Sequence, residues 1–258
     1  MNKYLSDKEI EKNRYNRKAS DLLLKNEDIN EINLYGSLSI PIYLRDPIDD
    51  YEDLIKKYVL GFHSVLELGS GIGTHTEILL KTGAKVITLD ISKKSLDILE
   101  NKFINDYVNF ETLEADIEKI PLANSSIDII CSAGSISYGQ TELVMNEMVR
   151  LLKPNGLLII VDSLDNNPIY SINRWIGYLL GKRTLGTIKN MLNIKKINAF
   201  QNKFILKKLN FYGSIIWTVP VLKFLFNDIV ISAIIRKFDK IINVKKSAFK
   251  FTLMMQKK

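Results

Sequence analysis

The sequence predicts an α/β protein, a mostly parallel sheet with helices on both faces. Short apolar runs alternate with helical patterns through the middle of the chain, and the first run opens directly into alternating glycines. Such alternation gives right-handed strand–helix–strand units and places any ligand at the carboxyl ends of the strands, near the point where strand order reverses.

The elements follow in order. Residues 1–36 are polar and charged with sparse apolar positions (Leu22, Leu23, Leu24, Ile29, Ile32, Leu34), the pattern of one or two loosely attached helices that cap the core. Pro41 and Pro47 punctuate an extended connector over 41–47, and 49–59 reads as a helix. Strands are expected at 63–68 and 85–90 with a helix over 76–81 between them, and a further helix runs from the cap Ser92 to about 103. Strands at 108–113, 126–132 and 156–162 and a helix over 141–152 complete the core. After an insertion over 163–200, a helix at 201–208 precedes a strand at 211–218. Phe249, Phe251 and Leu253 alternate with Lys250 and Thr252, which marks a last strand at 248–255. Between these lies 219–244, an apolar and basic helical stretch.

With 258 residues, 46% of them hydrophobic, the chain supports one well-buried domain over 1–258. Its expected parts are a cap at 1–55, a ligand-binding core at 56–162 and a substrate-side region at 163–258. The single cysteine, Cys131, excludes internal disulfides and zinc clusters and reads as a core residue. The first residues lack an apolar leader pattern, so the expected location is the cytoplasm. The longest charge-free stretch of the C-terminal part, 209–222, has 14 residues, against the roughly 18 or more of a spanning helix. Charge is split along the chain. Residues 1–181 hold 19 Lys and Arg against 27 Asp and Glu (net −8), whereas 182–258 hold 17 against only Asp228 and Asp239 (net +15). That asymmetry fits either an anionic partner or simply solvated basic helix faces.

The first strand runs through Val65-Leu66-Glu67-Leu68 into Gly69-Ser70-Gly71-Ile72-Gly73. Alternating glycines open backbone angles closed to other residues and remove the Cβ atoms that keep a ligand off the main chain. A dinucleotide loop would space its third glycine one residue later, and it has no need of an acid such as Glu67, which can accept bonds from an ammonium group. The second strand ends in Asp90, 21 residues after Gly69, where a carboxylate can accept both hydroxyls of a ribose and repels a 2′-phosphate.

These residues resemble the class I S-adenosylmethionine-dependent methyltransferases, in particular the type 11 group. Glu67–Gly73 is similar to that family's first motif and Asp90 to its ribose acid; Glu114-Ala115-Asp116-Ile117 resembles its adenine-edge motif. Residues 126–131 resemble its fourth strand, and Leu151–Ile160 its fifth-strand approach, with Asn155 where glycine is usual. The resemblance is firm over 64–162. It implies a Rossmann-like doubly wound seven-stranded sheet, mostly parallel with an antiparallel last strand, plus a helical N-terminal cap and a helical insertion after the fifth strand. It implies S-adenosyl-L-methionine as cofactor, and as its binding residues Glu67, Gly69, Ser70, Gly71, Gly73, Asp90, Ile91, Ala115, Asp116, Ile117, Ala133 and Gly134.

Methyl transfer from a sulfonium needs the acceptor held in line, and a hydroxyl acceptor also needs its proton taken up. His75, at a helix start that disfavours imidazolium, Tyr138 after the fourth strand and Asp162 at the end of the fifth are the candidate catalytic groups. His63, at the amino end of the first strand, reads as structural. The insertion resembles that of methyltransferases found with bacterial surface-polysaccharide genes. With the basic C-terminal part it suggests a small-molecule, nucleotide-sugar or lipid-linked glycan acceptor, phosphate-bearing, met by Tyr138, Arg174 and Arg183. The apolar, basic 219–246 stretch suits contact with an anionic membrane or a buried helical cover. Alternatives are an N-methyltransferase of a small molecule or amino sugar, an RNA methyltransferase, and a noncatalytic cofactor-binding partner protein. Nucleic acid is disfavoured, because the fourth strand ends in Cys131-Ser132-Ala133-Gly134 and lacks an Asn-Pro-Pro-Tyr-type base clamp. No metal site is expected.

Overall fold

A computed structural model describes residues 6–25, 40–242 and 244–258. The strands are β1 (Ser64–Leu68), β2 (Lys85–Asp90), β3 (Phe110–Glu114), β4 (Ile127–Ala133), β5 (Leu152–Ser163), β6 (Phe204–Tyr212) and β7 (Lys250–Lys257). They form one sheet of order β3-β2-β1-β4-β5-β7-β6. β1 to β5 are parallel, and β7 runs antiparallel to both β5 and β6. This is the doubly wound, mostly parallel sheet expected from the sequence. The chain leaves β1 outward to β2 and β3, then returns to β4 on β1's other side, so the strand order reverses between β1 and β4.

Side-chain alternation along the strands divides the core into two layers. Leu66, Leu68, Ile130, Leu158 and Ile160 pack with Val144, Met148 and Leu151 of helix α5 (Thr141–Leu151) on one face. Val65, Ile129, Cys131 and Ile159 pack on the other face. They meet Tyr51, Leu54 and Ile55 of α2 (Asp46–Tyr58), Leu79 of α3 (Thr76–Leu80) and Ile98 and Leu99 of α4 (Lys93–Phe103). Each of these fully buried aliphatic side chains contributes about 1.5–3 kcal/mol. Ser92 caps α4 by accepting from Ser95 N, as its position predicts. Asn155, with φ of 62°, occupies the left-handed turn at which glycine would be unstrained.

Three sequence expectations change, and two others gain detail. The 41–47 segment is not an extended connector: Ile42–Leu44 is a 3₁₀ turn, and α2 already starts at Asp46 because Pro47 suits the first turn of a helix. The helix expected at 201–208 and the strand at 211–218 are displaced. The helix is α8 (Ile194–Phe200) and the strand is β6, whose alternation is broken by a register shift between Leu206 and Lys208. As an edge strand, β6 also tolerates the Lys207-Lys208 pair that reads as helical. The 219–244 stretch is divided into α9 (Val219–Leu222) and α10 (Asp228–Ile241), the second capped by Asn227. The N-terminal cap is the single helix α1 (Asp7–Lys25) among the described residues; Ile29, Ile32 and Leu34 lie outside them. The insertion after β5 holds α6 (Pro168–Leu179), α7 (Leu185–Asn190) and α8.

Candidate active site

The glycine loop sits at the switch point and uses its glycines for different ends. A Cβ on Gly69, at φ of 66°, would lie 2.3 Å from the Cβ of Ser135, so this glycine lets the loop after β4 pass beneath β1. A Cβ on Gly73 would meet Phe103 of α4 at 2.9 Å, which makes it a contact between loop and helix and places it outside the cavity. Gly71, at φ of 56°, has no atom within 4 Å of its would-be Cβ; it faces open space.

That space is a cavity of about 510 Å³ at the carboxyl ends of the parallel strands. Of the expected cofactor residues, Glu67, Gly69, Ser70, Gly71, Asp90, Ile91, Ala115, Asp116, Ile117, Ala133 and Gly134 line it, and Gly73 alone does not. Asp90 is oriented by the backbone: its Oδ2 accepts from Gly71 N at 2.9 Å and its Oδ1 from Ser92 N at 2.8 Å. Burial pushes its carboxyl up, and these N–H bonds oppose the rise. Glu67 is fully enclosed and accepts from Thr76 Oγ1 at 2.6 Å. Burial pushes its carboxyl up to about 7, above the ordinary 4.5.

Helix α1 roofs this cavity. Lys8 pairs with Asp116 and, at 2.5 Å, with Glu118; Lys12 pairs with Glu114 at 2.5 Å. Ser92 Oγ donates to Asn16 Oδ1 at 2.7 Å and Lys94 Nζ to Ser20 Oγ at 2.8 Å. On the other side, buried Glu11 pairs with Arg14 and accepts from Thr184 and Thr187 hydroxyls at 3.0 and 3.1 Å, binding α1 to α7. The roof contributes Lys8, Tyr15, Lys18 and Leu22 to the lining. The sequence announces a cap but not these residues, because no motif marks them; their only signal is a helix without a core of its own.

The catalytic candidates separate. His75 lines the cavity, with its ring edge-on to Tyr51 at 5.9 Å and Nδ1 3.9 Å from a Glu52 oxygen. Burial, with Lys250 adding to it, holds the imidazole down at about 4, so it is neutral at physiological pH. Tyr138 also lines the cavity. Its hydroxyl lies 2.6 Å from that of Tyr15, and burial pushes it far above the ordinary phenol range, which keeps it a neutral hydrogen-bonding group. Asp162 is buried at the end of β5, accepts from Ser163 N at 2.6 Å and does not line the cavity. His63 Nδ1 accepts from Leu60 N at 3.0 Å in the turn before β1, far from these groups in the fold.

A second cavity, of about 370 Å³, shares Tyr15, Lys18 and Tyr138 with the first and is otherwise lined by Arg14, Lys182, Arg183, residues of α6 and its C-cap Leu180. Four cations and no carboxylate face it. Among the described residues no carboxylate pairs with Lys18, Lys182 or Arg183, and burial followed by the Arg14 charge lowers the Lys18 ammonium. Arg183 lines this second cavity. Arg174 does not line it: it is buried against Asp165 at 2.9 Å, on the side of α6 turned to the protein. Among the described residues no group of three His, Cys, Asp or Glu side chains could hold a metal ion.

The residues fit a cationic nucleoside: two acids at adjacent strand ends, an open glycine, and polar atoms left over, since Ser70 Oγ and His75 Nδ1 have no hydrogen-bond partner among the described residues. The sheet order and this loop agree with the fold expected from the resemblance to the class I S-adenosylmethionine-dependent methyltransferases. Consistently, the family model described as methyltransferase domain (Methyltransf_11) matches residues 66–160. The chain is 31% identical over 143 residues to an uncharacterised methyltransferase-like protein of Schizosaccharomyces pombe, covering 55% of this chain and 52% of the other. It is 30% identical over 147 residues to the methyltransferase GfsG of Streptomyces halstedii, covering 55% and 51%. The chain thus spans about half the length of these relatives. The fold matches a putative sarcosine dimethylglycine methyltransferase from Galdieria sulphuraria with a TM-score of 0.57 at 15% identity, over 80% of this chain and 85% of that one. It also matches geranyl diphosphate C-methyltransferase from Streptomyces coelicolor, solved with S-adenosyl-L-homocysteine, with a TM-score of 0.59 at 11% identity over 83% and 82%.

Proposed function

We propose that the protein transfers the methyl group of S-adenosylmethionine to a hydroxyl of a small, phosphate-bearing acceptor such as a sugar or glycan precursor. The observation that carries this reading is the cationic cavity, which shares Tyr15, Lys18 and Tyr138 with the cofactor cavity. An acceptor phosphate seated on Lys18, Lys182 and Arg183 would hold a neighbouring hydroxyl near the Tyr15–Tyr138 pair, which separates the two spaces. Lys18, Lys182 and Arg183 suit phosphate because no carboxylate lines this cavity and none pairs with them among the described residues, whereas Arg14 is already paired with Glu11.

The bound cofactor supplies an electrophilic methyl on sulfur, and the remaining contributions belong to this chain. Glu67 receives the ammonium group, Asp90 the ribose hydroxyls, and Asp116 with Ile117 the adenine edge. Tyr138 orients the acceptor hydroxyl, while neutral His75, whose Nδ1 lacks a hydrogen-bond partner among the described residues, is a weak base placed to accept its proton. Helix α1 keeps bulk water off the donor and confines the acceptor to small molecules.

Labelled S-adenosylmethionine incubated with metabolite and glycan fractions tests this directly. Label is expected in an anionic product, and phosphatase treatment of the fraction beforehand removes it. Arg183→Glu raises KM for that acceptor at least about tenfold without altering affinity for S-adenosylhomocysteine. Incorporation that is indifferent to phosphatase and to Arg183→Glu overturns the acceptor assignment.

A further inference from the structure

Helix α6 is inside out. Its buried side chains are Tyr170 and Arg174, whereas Ile172, Trp175, Ile176 and Leu179 face solvent, Leu179 at 78% exposure. A helix on a globular protein turns its apolar stripe inward, so an outward stripe calls for an apolar partner. A second exposed apolar surface lies in the chain beyond β6. The Tyr170 hydroxyl donates to Gly213 O at 2.8 Å and accepts from Trp217 N at 3.3 Å, which ties α6 to the segment leading into α9. Beyond that segment Phe224 and Leu225, in the turn between α9 and α10, are 88% and 71% exposed.

The charge around both surfaces specifies the partner. Lys182 and Arg183 follow α6 and Lys237 and Lys240 lie on α10; among the described residues none of them has a carboxylate partner. Residues 182–258 as a whole carry 17 Lys and Arg against 2 acids. Aromatic and aliphatic side chains flanked by unpaired cations match the headgroup–acyl boundary of an anionic bilayer. We infer that α6 and the α9–α10 turn rest on an anionic membrane surface. The contact is peripheral, since no helix of the described residues is long and apolar enough to cross a membrane. Ile176, Gly177 and Leu180 of this face also line the cationic cavity, so docking brings that cavity against lipid headgroups. The inference does not depend on the identity of the methyl acceptor.

Cosedimentation of the full chain with vesicles tests it, using phosphatidylcholine alone or mixed with phosphatidylglycerol. The protein is expected to partition onto the mixed vesicles and weakly onto the neutral ones. The double variant Leu179→Ser, Phe224→Ser should bind at least about tenfold more weakly. Both sites are exposed, so its melting temperature and its response to S-adenosylhomocysteine should stay unchanged. Three results would each overturn the proposal: no partitioning onto mixed vesicles; binding by the variant equal to that of the parent; or a dimer in light scattering that the variant dissolves, which assigns the face to a second copy of the chain.

Discussion

The proposed ammonium site at buried Glu67 predicts that cofactor binding depends on pH. Burial raises its carboxyl from 4.5 to about 7 in the free protein. Because the folded value lies above the unfolded one, the stabilisation is complete below pH 4.5 and is lost as the pH rises through 7; the separation is worth about 3 kcal/mol. An ammonium group needs the carboxylate, so cofactor binding selects the deprotonated form and releases a proton. At pH 6 roughly a tenth of the free protein has ionised Glu67 and at pH 7.5 roughly three quarters, so affinity for S-adenosylhomocysteine should rise about eightfold between them. Calorimetric titration in two buffers of different ionisation heat reads both the affinity and the released proton. Glu67→Gln should bind more weakly at pH 7.5, lose most of the pH dependence, and yield a free protein more stable than the parent above pH 7. Equal affinity of the parent at the two pH values refutes the assignment of the ammonium group to Glu67.

Other outcomes follow from single contacts. Gly69→Ala places a Cβ 2.3 Å from Ser135 Cβ at φ of 66°, and denaturant unfolding should show a loss of about 2–4 kcal/mol. Glu11→Ala leaves Arg14 and the hydroxyls of Thr184 and Thr187 without their acceptor. Amide exchange in α1 should accelerate and S-adenosylhomocysteine should dissociate faster in stopped-flow measurements. With His75 held at about 4, the pH profile of methyl transfer should carry no acid limb from this histidine near 6.5. A limb there that vanishes in His75→Gln contradicts a buried neutral imidazole.

The core was legible because its signals are local and physically over-determined. An apolar strand, the glycines and an acid at the next strand end place Glu67, Gly71 and Asp90 together without tertiary information. What the sequence obscured depends on contacts distant in the chain. β6 hides behind a bulge and paired lysines. Arg174 and Arg183 look alike in sequence, yet helix phase turns one into the protein and leaves the other on a cavity. Asp162 ends a strand as Asp90 does, but β7 pairs alongside it, with Asp162 opposite Phe251, and it is buried away from the cavity. The roof residues Lys8 and Tyr15 meet the site from across more than 100 positions, a relation no spacing rule contains.

The cavity under α1 is proposed to bind S-adenosylmethionine through Asp90. Titration of S-adenosylhomocysteine into the parent protein and Asp90→Ala, followed by calorimetry and thermal melting, tests it most directly. The parent should bind one equivalent and melt higher. Asp90→Ala, which removes charge-assisted bonds worth about 1.5–3 kcal/mol each to two ribose hydroxyls, should lose at least about a hundredfold in affinity. A parent protein that neither takes up the ligand nor shifts its melting temperature, or an Asp90→Ala variant that binds as tightly as the parent, contradicts it.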